Sequence, residues 1–224
     1  AQAAAAERSQ KLGDLHRTTR QRWQEDARKD WDAVPMTSGR LALEVWDAIK
    51  DEDWTLTVNP LWGVATRLWD FDRPDRFPGN LGGTATGATI GLSLGIALAY
   101  KGTGKLVVDI QNDGDLMFDA SALWVAANQR LPMLVVMFNN RSYYNDWGHQ
   151  VHIAKERGRP VENASVGQTI TDPDPDFATL ARSFGWYAEG PIEDPKDLAA
   201  ALARAIKEVK AGRPALIDAV AQAR

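Results

Sequence analysis

The chain has no cysteine among its 224 residues, which excludes disulfides, zinc–thiolate sites and thiol nucleophiles. Histidine is scarce too. His16, His149 and His152 are the only three, and they leave little room for a histidine metal cage or a catalytic triad. No stretch reaches the roughly 18 continuous apolar residues that a membrane-spanning helix needs. The nearest, Ala85 to Tyr100, is shorter and rich in Gly, Ser and Thr. A positive surplus is also missing: the formal net charge is −4, which argues against nucleic acid or an anionic membrane as main partner. The opening "AQAAAAERSQ" carries neither an initiator Met nor a basic-then-apolar signal pattern. It reads as a chain boundary or as the new end left by cleavage of a longer chain, and a cytoplasmic enzyme subunit is the expectation.

Hydrophobic residues make up 44% of the sequence, enough to build a full core in one α/β domain. Residues 1–34 are polar, mixed in charge and carry Trp23 and Trp31; they read as a helical or extended N-terminal linker lying on another surface rather than as core. Residues 35–224 then form the domain. Apolar Leu41, Val45 and Ile49 fall four apart and predict an amphipathic helix over about Ser38 to Lys50. Strands are expected at "WTLTV" (54–58), "KLVVDI" (105–110), "MLVVMF" (133–138), "WYAEG" and "ALIDAV" (215–220). Helices are expected at Ala85–Tyr100, Asp119–Arg130, "PDFATLARSFG" and about Asp194–Ala211, with a loop from Asn139 to about Asp172. Strands apolar on both faces and separated by helices predict an α/β fold, a parallel sheet with helices on both faces. Right-handed crossovers then place every strand C-terminus along one edge, where such folds bind ligands.

"NDGD" (112–115) lies on that edge, just past the strand at 105–110. An Asp-Gly hairpin would need a strand next, but "FDASALWVAANQ" has helical composition. An EF-hand loop starting at Asp109 would place Asp113 and Gly114 correctly, yet Ala120 occupies the obligatory Glu position. The third reading uses Asn139-Asn140, which ends the next strand. Asn140 follows Asp113 by 27 positions, enough for one helix and one strand. A carboxylate and a carboxamide on adjacent strand ends suit Mg²⁺, a hard cation that shares its oxygen ligands with phosphates.

The order "NDGD…LPMLVVMFNNRSYYN" resembles the signature of thiamine diphosphate-dependent enzymes, G-D-G followed about 25 to 30 residues later by N-N. It is similar to the acetolactate synthase, pyruvate decarboxylase and benzoylformate decarboxylase group, over about residues 34 to 222. The resemblance implies that group's C-terminal, diphosphate-binding domain, with thiamine diphosphate and Mg²⁺ as cofactors. It implies Asp113 and Asn140 as side-chain metal ligands and the Ser142 carbonyl as a third. It also implies Gly114 and Asp115 as backbone donors to the diphosphate ahead of a helix starting near Asp119, and Tyr143 as a residue near the cofactor. "GGTATGATIGLSLGIALA" resembles the glycine-rich helix behind the cofactor, with Thr86 at the position of its apolar prop and Gly87, Gly91 and Gly95 spaced for close packing. Asn59 is the polar candidate leaving the first strand. Asp146 falls where related decarboxylases place an acid that works on the reaction intermediate, although any single loop Asp is as readily a solvated cap. Tyr144 and Trp147 could line the pocket or pack the loop, and Trp46, Trp54, Trp62, Trp69 and Trp124 suit core or subunit contacts.

Two departures stand out: Asn112 replaces the first Gly of G-D-G, which implies a strained turn, and Thr86 replaces an apolar prop. Both support an alternative reading as a non-catalytic or regulatory module that keeps the fold. Members of the group also need a glutamate on a pyrimidine-binding domain to activate the cofactor, and this chain has no second sheet to present one. The resemblance therefore implies half an active site, completed by a separate chain in a hetero-oligomer with twofold symmetry. Its substrate would be a small 2-oxo acid, 2-hydroxy ketone or CoA-thioester analogue.

Overall fold

A computed structural model describes residues 2–58, 63–79 and 87–222. In chain order the elements are α1 (Gln2–Ala27), α2 (Ser38–Ile49), β1 (Trp54–Leu56), α3 (Val64–Leu68), α4 (Ala88–Ala99), β2 (Leu106–Asn112), α5 (Asp113–Phe118), α6 (Ala122–Asn128), β3 (Leu134–Asn139), α7 (Tyr144–Glu156), α8 (Phe177–Ser183), β4 (Tyr187–Ile192), α9 (Leu198–Lys210) and β5 (Ala215–Val220). Short 3₁₀ turns at Pro74–Arg76 and Pro195–Asp197 complete the set. The five strands form one sheet in the order β1-β2-β3-β5-β4, and every neighbouring pair is parallel. The architecture expected from the sequence is therefore present.

Side chains alternate across each strand, so the sheet feeds two cores. Leu106, Val108 and Ile110 of β2 face the core that α2 and α9 cover. Val107 faces the other core, covered by α4, α6 and α8. Leu41, Val45 and Ile49 on α2 are fully buried, each contributing roughly 1.5–3 kcal/mol of burial. Trp54 and Trp69 are buried as well, edge to face with ring centroids 5.6 Å apart, and Trp46 stacks on Trp69. These tryptophans belong to the core, whereas Trp124 is 54% exposed.

Several sequence expectations need correction. Residues 2–27 form a helix, one of the two forms expected of that segment, but Trp23, Ala27 and Trp31 pack against the chain's own core rather than another surface. The expected loop after Asn139 contains α7. Glycine and polar residues hide its helical pattern, and none of its residues is buried. The helix expected over Asp119–Arg130 is present as α6, and a further short helix that was not expected, α5, precedes it from Asp113. An acid in a first helical turn is favourable, so Asp113-Gly114-Asp115 starts a helix rather than preceding one. Gly91 and Gly95 have open space where a Cβ would sit; the close packing expected of them does not occur among the described residues.

Candidate metal and diphosphate site

The parallel register pairs Asn112 of β2 with Phe138 of β3, so the residues that follow both strands emerge side by side. Asp113 is nearly fully buried. Its Oδ2 accepts the Ser142 N–H at 3.2 Å, and the Asn140 Oδ1 accepts the same N–H at 3.1 Å. The carboxylate and carboxamide thus converge on one amide, together with the residue whose carbonyl was expected as third ligand. Asp113 Oδ1 also accepts the Gly114 N–H at 2.7 Å. Burial pushes the Asp113 carboxyl up to about 6, opposed by the N–H groups of Gly114, Ser142 and Arg141. No Lys or Arg pairs with Asp113 among the described residues. A buried carboxylate met only by dipoles, beside a carboxamide oxygen, is a donor set that fits a hard divalent cation.

Asn112 is not strained. Its φ of −72° and ψ of 144° are ordinary extended values, because the residue closes a strand before α5 begins. The left-handed position in this region is Arg141, at φ 55°. Its guanidinium pairs with Asp174 and Glu193, both at 3.1 Å, and its carbonyl accepts the Ile170 N–H at 2.8 Å.

Gly114 is required by contact rather than by φ. A Cβ added there would overlap the ring of Tyr143, which also meets Phe118 with centroids 5.9 Å apart. Tyr143 thereby covers α5 just beside Asp113. Its hydroxyl is shifted upward by burial, with Asp113 and Asp115 adding to the shift.

Asp115 is tied through its side chain. Its Oδ1 accepts the Gly87 N–H at 2.6 Å, and its Oδ2 accepts the Thr89 hydroxyl and the Gln111 Nε2–H at 3.2 Å. The Gly87 amide, expected near the cofactor, is thus engaged within the chain.

Asp146 lies in the first turn of α7 and is exposed, apart from the hydrogen bonds that join Asp113, Asn140 and Ser142. Tyr144 and Trp147 stack edge to face beside it, with centroids 6.0 Å apart. His149 and His152 are exposed on the same helix, and His152 faces Glu156 at 3.2 Å. Asn59, Thr86 and Trp62 lie outside the described residues.

Sequence reasoning passed over three features. Asn139, the first of the N-N pair, is buried and donates to Asp218 Oδ1 at 2.9 Å, tying β3 to β5. Burial pushes Asp218 up to about 6, opposed by Asn139 and the Phe177 N–H. Strand alternation could have separated the two asparagines, since adjacent residues point opposite ways. Thr89 and Gln111 join the glycine-rich helix to β2 with no periodic signal. Asp109 is fully buried, and neither of its carboxyl oxygens meets a donor in hydrogen-bond geometry. Burial pushes it up to about 8, opposed by the nearby Ser93 hydroxyl and raised further by the charge of Asp115.

The chain is similar to the acetolactate synthase isozyme 3 large subunit of Escherichia coli (strain K12), 28% identical over 155 residues that cover 69% of this chain and 25% of that protein. It is also similar to the acetolactate synthase large subunit of Buchnera aphidicola subsp. Schlechtendalia chinensis, 25% identical over 176 residues covering 78% and 29%. The chain therefore spans about a quarter of the length of these relatives. The fold resembles that of benzoylformate decarboxylase from Polynucleobacter necessarius, with a TM-score of 0.67 at 17% identity over 86% of this chain and 34% of that one. The thiamine diphosphate-dependent 4-hydroxybenzoylformate decarboxylase of Rhodococcus jostii RHA1 gives a TM-score of 0.66 at 20% identity, with the same coverage. The family model for the thiamine pyrophosphate enzyme, C-terminal TPP binding domain, matches residues 61–219. That match spans both strand ends carrying Asp113 and Asn140, and the chain belongs to the family of C-terminal TPP-binding domains of thiamine pyrophosphate enzymes.

Proposed function

We propose that this chain holds Mg²⁺ and the diphosphate end of thiamine diphosphate in an enzyme that cleaves or forms a C–C bond beside a carbonyl. The observation that carries the reading is the convergence of Asp113 and Asn140 on the Ser142 amide. Asp113 and Asn140 would ligate the cation through side-chain oxygens, and Ser142 through its carbonyl. Gly114 and Asp115 would face the diphosphate with backbone N–H groups, with Tyr143 packed beside the turn. The Gly114 N–H would exchange the Asp113 Oδ1 that it meets here for a phosphate oxygen as that carboxylate turns to the cation. Asp146, on exposed α7, would hold or move a proton at the substrate. When bound, the cofactor supplies the electron sink that such bond changes need.

The substrate class is a small 2-oxo acid, 2-hydroxy ketone or CoA-thioester analogue. The similarity to acetolactate synthases supports synthase or decarboxylase chemistry. The activating glutamate would come from a pyrimidine-binding domain on a separate chain, in a twofold hetero-oligomer. No helix among the described residues is long and apolar enough to cross a membrane, and a cytoplasmic setting suits the reading. The alternative of a non-catalytic module loses its support at Asn112, whose backbone is ordinary. Mixing the chain with that partner and assaying turnover tests the proposal. Activity should appear only in the mixture, and robust activity from this chain alone would contradict it.

A further inference from the structure

Two contacts join α5 to the first turn of α4, one near each end of α5. At the first, the Asp115 carboxylate accepts the Gly87 N–H, the Thr89 hydroxyl and the Gln111 Nε2–H. Gln111 Nε2–H also donates to Thr89 Oγ1 at 2.8 Å, so strand, turn and helix share one hydrogen-bonded knot. At the second, Gly87 sits so close to Phe118 that an added Cβ would lie 3.0 Å from the Phe118 Cβ. Gly87 is also at φ 86°, a conformation that L side chains resist. No Lys or Arg pairs with Asp115 among the described residues; its charge is met by directed dipoles, which fix geometry more tightly than a mobile surface ion pair does. The helix that starts at Asp113 and the one that starts at Ala88 therefore cannot shift independently without breaking these bonds.

We propose that Asp115 is a positioning residue that makes the Asp113 turn and the first turn of α4 one unit, so that a cation bound at Asp113 is felt at residues 87–90. The inference rests on the reading of Asp113 and Asn140 as the Mg²⁺ site and assigns Asp115 a side-chain role within it. The route is short. Asp113 and Asp115 lie in the same turn of α5, and ordering that turn orders the acceptor of the Gly87 amide.

The test is amide hydrogen exchange on the full chain, with and without Mg²⁺ and inorganic pyrophosphate, alongside calorimetry with the same probe. In the native chain the probe should slow exchange at residues 87–90 by about fivefold or more. In Asp115→Ala, at probe concentrations that saturate the variant by calorimetry, that slowing should be lost, and Asp115→Asn, which keeps an acceptor for the Gly87 N–H, should restore part of it. If Asp115→Ala does not fold, Thr89→Val removes the hydroxyl donor in nearly the same shape and should likewise weaken the transmitted slowing. Probe-dependent slowing that is absent in the native chain, or equal in native and variant chains, overturns the proposal. If the native chain binds no Mg²⁺–pyrophosphate, the metal-site reading fails separately. Probe-free exchange at residues 87–90 then decides the clamp: it should be about tenfold faster in the variant, and equal rates would overturn it.

Discussion

The Ser142 amide donates to the Asp113 carboxylate at 3.2 Å across 29 positions of sequence, joining the turn after β2 to the turn after β3. This bond holds the two strand ends side by side, and it engages the backbone of Ser142 rather than its side chain. The Ser142 hydroxyl points elsewhere, donating to the Gln168 carbonyl at 3.1 Å. Ser142→Ala should therefore keep Mg²⁺-dependent thiamine diphosphate affinity within about twofold. Asn140→Ala, which deletes a neutral oxygen ligand, should weaken it by roughly tenfold, about 1.4 kcal/mol. Calorimetry on the assembled enzyme distinguishes them, and equal losses would remove Asn140 from the ligand set.

Gly114 and Tyr143 form a steric pair. Gly114→Ala should destabilise the chain by about 1–3 kcal/mol, as overpacking does, and Tyr143→Ala should relieve most of that cost when the two are combined. Urea unfolding of the four chains in a double-mutant cycle measures the coupling. Additive effects would mean that the ring does not occupy the space beside Gly114.

Asp109 should make stability fall as pH rises. The folded chain keeps its proton up to about pH 8, while the ordinary value is 3.8. Between those limits the folded state binds more protons than the unfolded state, so stability is lost with a slope approaching about 1.4 kcal/mol per pH unit. Asp113 and Asp218 contribute with the same sign only up to about 6, so the slope between pH 6 and 8 reports Asp109. Unfolding free energies of native and Asp109→Asn chains at pH 6, 7 and 8 should diverge, with the variant flatter. An unchanged slope would mean that Asp109 is ionised in the fold.

Asp146 is exposed at the start of α7, so replacing it should spare the fold. With the partner present, Asp146→Asn should lower turnover by at least about tenfold, roughly 1.4 kcal/mol of transition-state stabilisation. Cofactor affinity should stay near that of the native chain. Equal turnover would make Asp146 a solvated surface acid.

The sheet was legible because strands buried on both faces read as continuous apolar runs, as in "MLVVMF" and "KLVVDI". The convergence of Asp113 and Asn140 on one amide was legible because each residue follows such a run. Other features left weaker traces. Helix α7 buries no residue, so it had no apolar stripe to show. The start of α5 was mistaken for a turn because Asp-Gly serves both a turn and a first helical turn. Asp115 and Gly87 lie 28 positions apart, and no local pattern announces a bond between a carboxylate and a distant backbone amide. The buried acids Asp109 and Asp218 were hidden for a related reason: their strands look uniformly apolar in composition, and only the packed sheet shows which face each acid occupies.

The central claim is that Asp113 anchors a cation that carries the diphosphate. The most direct measurement is calorimetric titration of thiamine diphosphate into the assembled enzyme, with and without Mg²⁺, for native chain and Asp113→Ala. The account predicts tight, Mg²⁺-dependent binding in the native enzyme and its loss in the variant, because a lone carboxamide cannot hold the cation against phosphate charge. Unchanged Mg²⁺-dependent affinity in Asp113→Ala would contradict it.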